Sequence, residues 1–197
     1  MDKLETYTRS QLDKLGNTII YLCDRVKPLS KTHLLKLIFI IEEASIRKYG
    51  LPFFDLRFDV WKLGPVSKDL FVELTEEPGL LAQYIGKETR DGKIFIVSRQ
   101  PFNDDEFTDQ EIALLTEVVD RFKYCTAGEL VSFTHKKDTP WYNTAQRHGV
   151  LELLEEGRMN TTDIEIDLSE IIRDDKEKLA LYRSHKEFLS RSRSLKS

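Results

Sequence analysis

The chain has 197 residues, of which 40% are apolar and 32% are charged, and its net charge is −4. This composition is typical of a soluble globular protein with one core, and no apolar run approaches the roughly 18 residues that span a membrane. The first residues lack the apolar stretch of a secretory signal, so we expect a cytoplasmic protein with no membrane partner.

Charge is distributed unevenly along the chain. Residues 182–197 carry five Lys/Arg and one Glu, a net charge of +4, which leaves −8 for the first 181 residues. An acidic body disfavours broad nucleic-acid binding, because such binding depends on neutralising phosphates, and it suits a basic protein partner. A charged surface that only keeps the protein soluble explains the pattern equally well.

Two helices are predicted in the N-terminal third. Apolar residues at helical spacing predict the first over 10–26. Ser30 is a suitable N-cap for a second helix that runs to about Lys48 and is ended by Gly50 and Pro52.

The second helix contains the stretch LLKLIFII (34–41), which is apolar almost all round. Such a helix is buried on several sides, so we expect it to be the central helix. Lys36 interrupts the stretch. An unpaired buried charge is costly, so we expect its ammonium group to reach solvent or a carboxylate.

The middle of the chain contains turn signals. After an extended or irregular segment over 53–63, Gly64 and Pro65 predict the start of a helix over 66–76, because proline fits the first helical position. The sequence RDGK then predicts the turn of a hairpin whose second strand covers 94–98.

The last part of the chain is predicted to be mainly helical. Thr108 and Glu111 have the spacing of a capping box at the start of a helix over 109–124. The further predicted elements are helices over 127–134, 150–157 and 169–190 and a strand over 162–168.

These elements predict an α+β protein: a mostly helical single domain with a central buried helix, a small β-hairpin or sheet and a C-terminal charged helix. We divide the chain into an N-terminal helix over 1–29, a core over 30–150, and a C-terminal strand and charged helix over 151–197 that packs on the core or extends from it.

No residue pattern predicts an enzyme. Cys125, His135 and Asp138 could form a nucleophile set, but Cys125 follows a helix end, where the dipole raises a thiol pKa. Ser132 lies one helical turn before His135, yet no nucleophile elbow surrounds it. We therefore expect a binding protein without catalytic residues.

Metal and cofactor sites are not predicted either. Cys23 and Cys125 belong to no CxxC pattern, and we expect both to be buried. His33, His148 and His185 lack metal-ligand spacing, and the glycine motifs of nucleotide sites are absent.

A nucleic-acid regulator remains an alternative. Two helices joined by a proline-containing turn and followed by a hairpin match a winged helix in outline, although the second helix is too apolar for a recognition helix. The two tryptophans each lie near a proline. We expect Trp61 in the core, whereas Trp141 suits the core or an interface equally well.

Four segments, in this order, resemble the motifs of a known family. LLKLIFII is similar to its K-L-L-Y helix, YGLPFF to its G-x-P-L-F turn, VWKLGPV to A-W-x-x-G-P-V, and ELVSFTHKKDTPW to L-S-x-x-T-H-x-x-x-P-W. Over about residues 30–147 the chain thus resembles the Panacea domain of SocA- or GepA-like phage-associated proteins. The matching positions are Lys36, Leu37, Gly50, Pro52, Trp61, Gly64, Pro65, Val66, Thr134, His135, Pro140 and Trp141.

The resemblance implies an antitoxin without enzymatic activity or cofactor. Its partner would be a cognate protein toxin, neutralised by direct binding or, as in some relatives, by degradation that involves a protease system. A phage-element interaction protein without a toxin, or the winged-helix-like regulator, stays open. We expect partner contacts at Asp104, Asp105, Glu106, Trp141 and Tyr142 and at the basic C-terminal tail.

Overall fold

The structure is a computed structural model that describes residues 7–76 and 79–194. Its helices are α1 Arg9–Arg25, α2 Lys31–Tyr49, α3 Lys68–Thr75, α4 Asp109–Phe122, α5 Ala127–Thr134, α6 Pro140–Arg147, α7 Leu151–Glu155 and α8 Lys176–Ser194. The strands are β1 Asp59–Trp61, β2 Gly64–Val66, β3 Ile85–Arg90 and β4 Lys93–Ser98, and a 3₁₀ helix covers Leu168–Ile172. The mostly helical α+β architecture is confirmed.

Helix α2 is the centre of the molecule. The Ser30 side chain accepts a hydrogen bond from the backbone of His33 at its start, and Gly50 ends it in the left-handed conformation with φ 72°. Helices α3, α4, α5 and α8, the 3₁₀ helix and strands β2 and β4 all contact it. Burial on several sides explains why its apolar residues continue around the helix.

The strands form two separate antiparallel hairpins. In the first, β1 pairs with β2 and places Trp61 opposite Gly64. In the second, β3 pairs with β4 and the Asp91–Gly92 turn joins them, as RDGK predicts.

The prediction that Gly64 and Pro65 start a helix is wrong. Both lie in β2, and α3 begins only at Lys68. Gly64 has φ 94°, which is outside the helical region. Every strand of a two-stranded sheet is an edge strand, so Pro65 is tolerated there without a backbone N–H.

The C-terminal segment differs from the sequence prediction in two places. Residues 162–168 do not form a continuous strand. Ile166 nevertheless donates its backbone N–H to the Phe58 carbonyl, and Glu165 forms an isolated β-bridge with Asp59. The charged helix begins at Lys176 instead of 169, because the 3₁₀ helix intervenes and the Asp175 carboxylate accepts the backbone N–H of Lys178.

The two cysteines differ in burial. Cys23 is buried as expected, and burial raises its pKa to about 12. Cys125 is only partly buried, because it lies in the short connection between α4 and α5.

Within residues 7–76 and 79–194, every helix is too short or too polar to cross a bilayer. The expectation about the first residues concerns positions 1–11, of which positions 1–6 lie outside the described residues. The same holds for the end of the basic tail, positions 195–197.

Candidate functional site

The motif positions that the sequence singled out meet mainly beneath the first hairpin, where Lys36 is the central residue. Lys36 is 1% exposed, and its Nζ donates a hydrogen bond of 2.7 Å to the carbonyl oxygen of Pro65. Within residues 7–76 and 79–194 the ammonium therefore reaches neither solvent nor a carboxylate, which corrects the sequence expectation. Burial lowers the pKa of Lys36 to about 7.

Gly64 allows this close approach. A Cβ atom at Gly64 would lie 2.7 Å from Thr134 Oγ1 and 3.1 Å from Lys36 Cε. Because the residue also has a positive φ, any side chain here would be both crowded and strained. The α5 helix, which carries Thr134, thus packs directly on the backbone of β2.

Trp141 packs inside the protein. It is 2% exposed, its ring stacks on His135 with centroids 3.9 Å apart, and its Nε1 donates to the Trp61 carbonyl at 3.0 Å. Burial, with a smaller effect from the charge of Lys36, lowers the pKa of His135 to about 4. The His135 ring is consequently neutral near pH 7 and packs as an aromatic group.

Trp61 is only half buried, which corrects the prediction that it lies in the core. Its ring meets Phe71 edge-on at a centroid distance of 4.9 Å, and its Nε1 donates to the Thr162 carbonyl at 3.1 Å. It connects β1 to the C-terminal segment. The two tryptophans thus have the reverse of the burial order that the sequence suggested.

The remaining motif residues support the same framework at other points. Leu37 and Val66 are buried, and Pro140 opens α6 at its first position. Gly50 and Pro52 lie apart from the others, at the C-terminal end of α2. The motif therefore marks residues that join α2, the first hairpin, α5 and α6.

Sequence reasoning missed a second buried charge in α2, Glu42. Its Oε2 accepts the backbone N–H groups of Phe53 at 2.8 Å and Phe54 at 2.7 Å, and its Oε1 accepts that of Asp55 at 3.0 Å. Burial raises the pKa of Glu42 to about 7, although these hydrogen bonds act against the shift. An acidic residue directly after LLKLIFII was the available signal.

The segment that Glu42 holds also binds the C-terminal helix. Asp55 has φ 62°, and its Oδ1 accepts a hydrogen bond of 2.6 Å from Lys186 Nζ in α8. Lys178, in the first turn of α8, donates its Nζ to the Arg47 carbonyl at 3.0 Å. Two lysines thus attach the charged C-terminal helix to α2 and the loop that follows it.

The residues proposed for partner contact are placed differently from one another. Asp104, Asp105 and Glu106 are exposed in the segment before α4, where Glu106 accepts a hydrogen bond from Ser10. Tyr142 is half buried in α6. Trp141 is buried, so its ring belongs to the interior and is not a surface contact.

Two of the residues considered for catalysis, Ser132 and His135, have structural partners. Ser132 Oγ donates to the Gly128 carbonyl at 3.1 Å, and His135 stacks on Trp141. Among the residues that the structure describes, no group of three or more His, Cys, Asp or Glu is arranged to hold a metal ion.

The comparison with known families gives a match that covers the motif residues. A family model described as "Antitoxin SocA-like, Panacea domain" matches residues 34–142, more than half of the chain, and every motif residue from Lys36 to Trp141 lies inside this match. No curated protein and no solved structure matches the chain. On the strength of the family match, this chain belongs to the SocA-like Panacea domain family of antitoxin-like proteins.

Proposed function

We propose that this protein is an antitoxin that neutralises a cognate protein toxin by direct binding and catalyses no reaction itself. The observation that carries the proposal is the match of residues 34–142 to the antitoxin family. The burial of the motif residues supports separate roles for interior and surface residues. Lys36 and Trp141 hold the interior together, so exposed residues outside the motif must form the contact surface.

The acidic segment Asp104–Glu106 is the best candidate for that surface. Its three consecutive carboxylates are exposed at the start of the α4 region. Clustered charge on a rim accelerates association with a partner of opposite charge more than it strengthens the final complex. We therefore propose a toxin with a basic contact region.

Co-expression with the product of the neighbouring gene tests the function. We expect the neighbouring product to inhibit growth alone, to be harmless together with this chain, and to co-purify with it. A neighbouring product that is harmless alone and does not co-purify would contradict the proposal and favour a phage-element interaction protein without a toxin.

Charge reversal tests the surface. The variant Asp104→Lys, Asp105→Lys and Glu106→Lys should slow toxin association about tenfold at low salt and much less at high salt. The control is Glu152→Lys with Glu155→Lys, two exposed acidic positions of α7. Equal slowing in both variants would mean that overall charge, and not this segment, attracts the toxin.

Toxin half-life separates the two modes of neutralisation. Direct binding leaves the toxin present and inactive, whereas promoted degradation removes it in cells with an intact protease system. We expect a stable, co-purifying toxin. A toxin whose half-life falls when this chain is expressed would instead support degradation.

A further inference from the structure

A basic cleft of about 890 Å³ lies between the starts of α2 and α5 and the turn of the β3–β4 hairpin. Its charge is opposite to that of the acidic segment Asp104–Glu106. Its lining contains four lysines, Lys27, Lys31, Lys93 and Lys123, and no Asp or Glu among the described residues. The whole chain has 34 acidic residues and a net charge of −4. This lysine cleft is therefore a local region of positive potential on an acidic protein.

Two helix N-termini meet at the lysine cleft. At each, the capping side chain accepts only one backbone N–H: Ser30 Oγ that of His33, and Thr126 Oγ1 that of Glu129. The backbone N–H groups of Thr32, Ala127 and Gly128 have no acceptor among the described residues, and all three residues line the cleft. Free N–H groups and the helix dipole together favour an anion.

His33 provides a separate indication of a ligand. His33 is one of the residues that line the lysine cleft, it is 6% exposed, and its buried Nε2 has no hydrogen-bond partner in the described part of the chain. A buried polar atom without a partner is unfavourable. Burial lowers the pKa of His33, so the ring is neutral near pH 7 and can donate one N–H to a ligand oxygen.

We propose that the lysine cleft binds the phosphate group of a small phosphorylated ligand. A phosphate has several acceptor oxygens, which suits a site with three backbone N–H groups and lysine side chains. Lys27 and Lys93 are exposed, whereas Lys123 pairs with Asp120 and Lys31 donates to Thr75. The first two lysines are therefore the ones we assign to the ligand.

The size and walls of the cleft leave room for an organic group beside the phosphate. A volume of about 890 Å³ is in the range of small-molecule sites. Phe95 and Tyr124, which is 88% exposed, are both among the lining residues. Aromatic rings near lysines would allow a planar base to stack. The ligand is thus either free inorganic phosphate or a nucleotide-sized organic phosphate.

Amide chemical shifts test the proposal directly. We would titrate the protein with inorganic phosphate, ADP and adenosine at constant ionic strength and follow the N–H signals of Thr32, Ala127 and Gly128. Phosphate and ADP should shift these signals, and adenosine should not. Tighter binding of ADP than of phosphate indicates an organic phosphate, and equal binding indicates free phosphate. Absence of shifts with both phosphate compounds would overturn the proposal.

Substitution of Gly128 provides a variant that keeps the fold. A Cβ atom at Gly128 would meet only Thr126 Oγ1, at 3.9 Å, so a side chain fits. Gly128→Asp should preserve or raise the melting temperature, because a carboxylate is favourable in the first turn of a helix, and it should abolish phosphate binding. Gly128→Ala is the matched control and should still bind. Retained binding in Gly128→Asp would contradict the site.

Two lysine variants test the charge contribution. Lys27→Gln with Lys93→Gln should weaken ADP binding by about tenfold for each charge that contacts the phosphate. Lys136→Gln with Lys137→Gln removes two exposed charges outside the cleft and should leave binding nearly unchanged. Equal loss in both pairs would show unspecific attraction. An acidic peptide that shifts the three amides when phosphate and ADP do not would also refute the proposal.

Discussion

Helix α2 buries two charged side chains near its middle, and the two charges are satisfied differently. Lys36 and Glu42 are both 1% exposed. Lys36 donates to the single carbonyl of Pro65, whereas Glu42 accepts three consecutive backbone N–H groups from the segment Phe53–Asp55. Lys36 therefore holds β2 at one point, and Glu42 determines the conformation of a whole turn of chain.

This difference shows how one helix can organise the chain that follows it. Both charges bind backbone groups, and neither forms a salt bridge among the described residues. A backbone carbonyl is present at every residue and an N–H at every residue except proline, so such anchors tolerate most sequence changes in the anchored segments. The Glu42 carboxylate accepts three backbone hydrogen bonds through its two oxygens, whereas the Lys36 ammonium donates one to the backbone.

The largest effect is expected from Glu42→Ala. It leaves three buried N–H groups without an acceptor, which should lower the free energy of unfolding by at least about 3 kcal/mol. The control is Glu43→Ala, which removes the ion pair with Arg47 from a partly buried position and should cost at most about 1 kcal/mol. Urea denaturation of both variants measures the difference. Similar losses would mean that Glu42 does not hold the 53–55 segment.

Lys36→Met should have a smaller effect. It leaves one carbonyl unsatisfied, which costs about 1–3 kcal/mol, but it also removes the unfavourable burial of a charge. We expect a net loss of less than about 2 kcal/mol at pH 7, with Lys48→Met on the exposed side of α2 as the control. A loss as large as that of Glu42→Ala would contradict the proposed difference between the two anchors.

The two anchors should also give opposite dependences of stability on pH. Folding raises the Glu42 pKa from 4.5 to about 7, so the folded chain binds more protons between these values and Glu42 makes stability fall as pH rises. Folding lowers the Lys36 pKa from 10.5 to about 7, so the unfolded chain binds more protons above pH 7 and Lys36 makes stability rise with pH.

These contributions are measured as differences between wild type and variant, because His135 and Cys23 also titrate differently on folding. The difference between wild type and Glu42→Ala should decrease by up to about 1.4 kcal/mol per pH unit between pH 5 and 7. The difference between wild type and Lys36→Met should increase by a similar slope from pH 7 to 8.5. If the difference in the free energy of unfolding between wild type and a variant does not change with pH, burial does not shift the pKa of the substituted residue.

Trp61→Phe should have the smallest effect on stability. The phenyl ring keeps the contact with Phe71 but loses the hydrogen bond to the Thr162 carbonyl, at a cost of about 1 kcal/mol. Trp141→Phe is the comparison. It leaves the Trp61 carbonyl without its donor inside the core and should cost more. Thermal denaturation measures both variants. A larger loss of stability in Trp61→Phe than in Trp141→Phe would instead indicate that Trp61 is the core tryptophan.

Elements defined by neighbouring residues could be predicted well from the sequence. Ser30 and Gly50 set the ends of α2, and Thr108 with Glu111 forms the expected capping box of α4. The turn of the β3–β4 hairpin is where RDGK indicates it. Each of these signals acts over about four residues, so no distant partner is needed to form it.

The candidate site could be predicted only in part. The motif residues all lie inside the family match over residues 34–142, and most of them meet in space. Their roles were not predictable, because the Gly64–Pro65 pair suits a helix start and a strand equally well on local grounds. The strand is selected by the pairing of Gly64 with Trp61 and of Pro65 with Val60.

The sequence by itself therefore determined the mostly helical α+β class, the central position of α2 and the family of the chain. Only the tertiary structure decided how Lys36 and Glu42 are satisfied, which tryptophan is buried and where the lysine cleft forms. The physical reason is distance along the chain. Caps and turns depend on adjacent residues, whereas the partner of Lys36 is 29 positions away and that of Trp61 is 101 positions away.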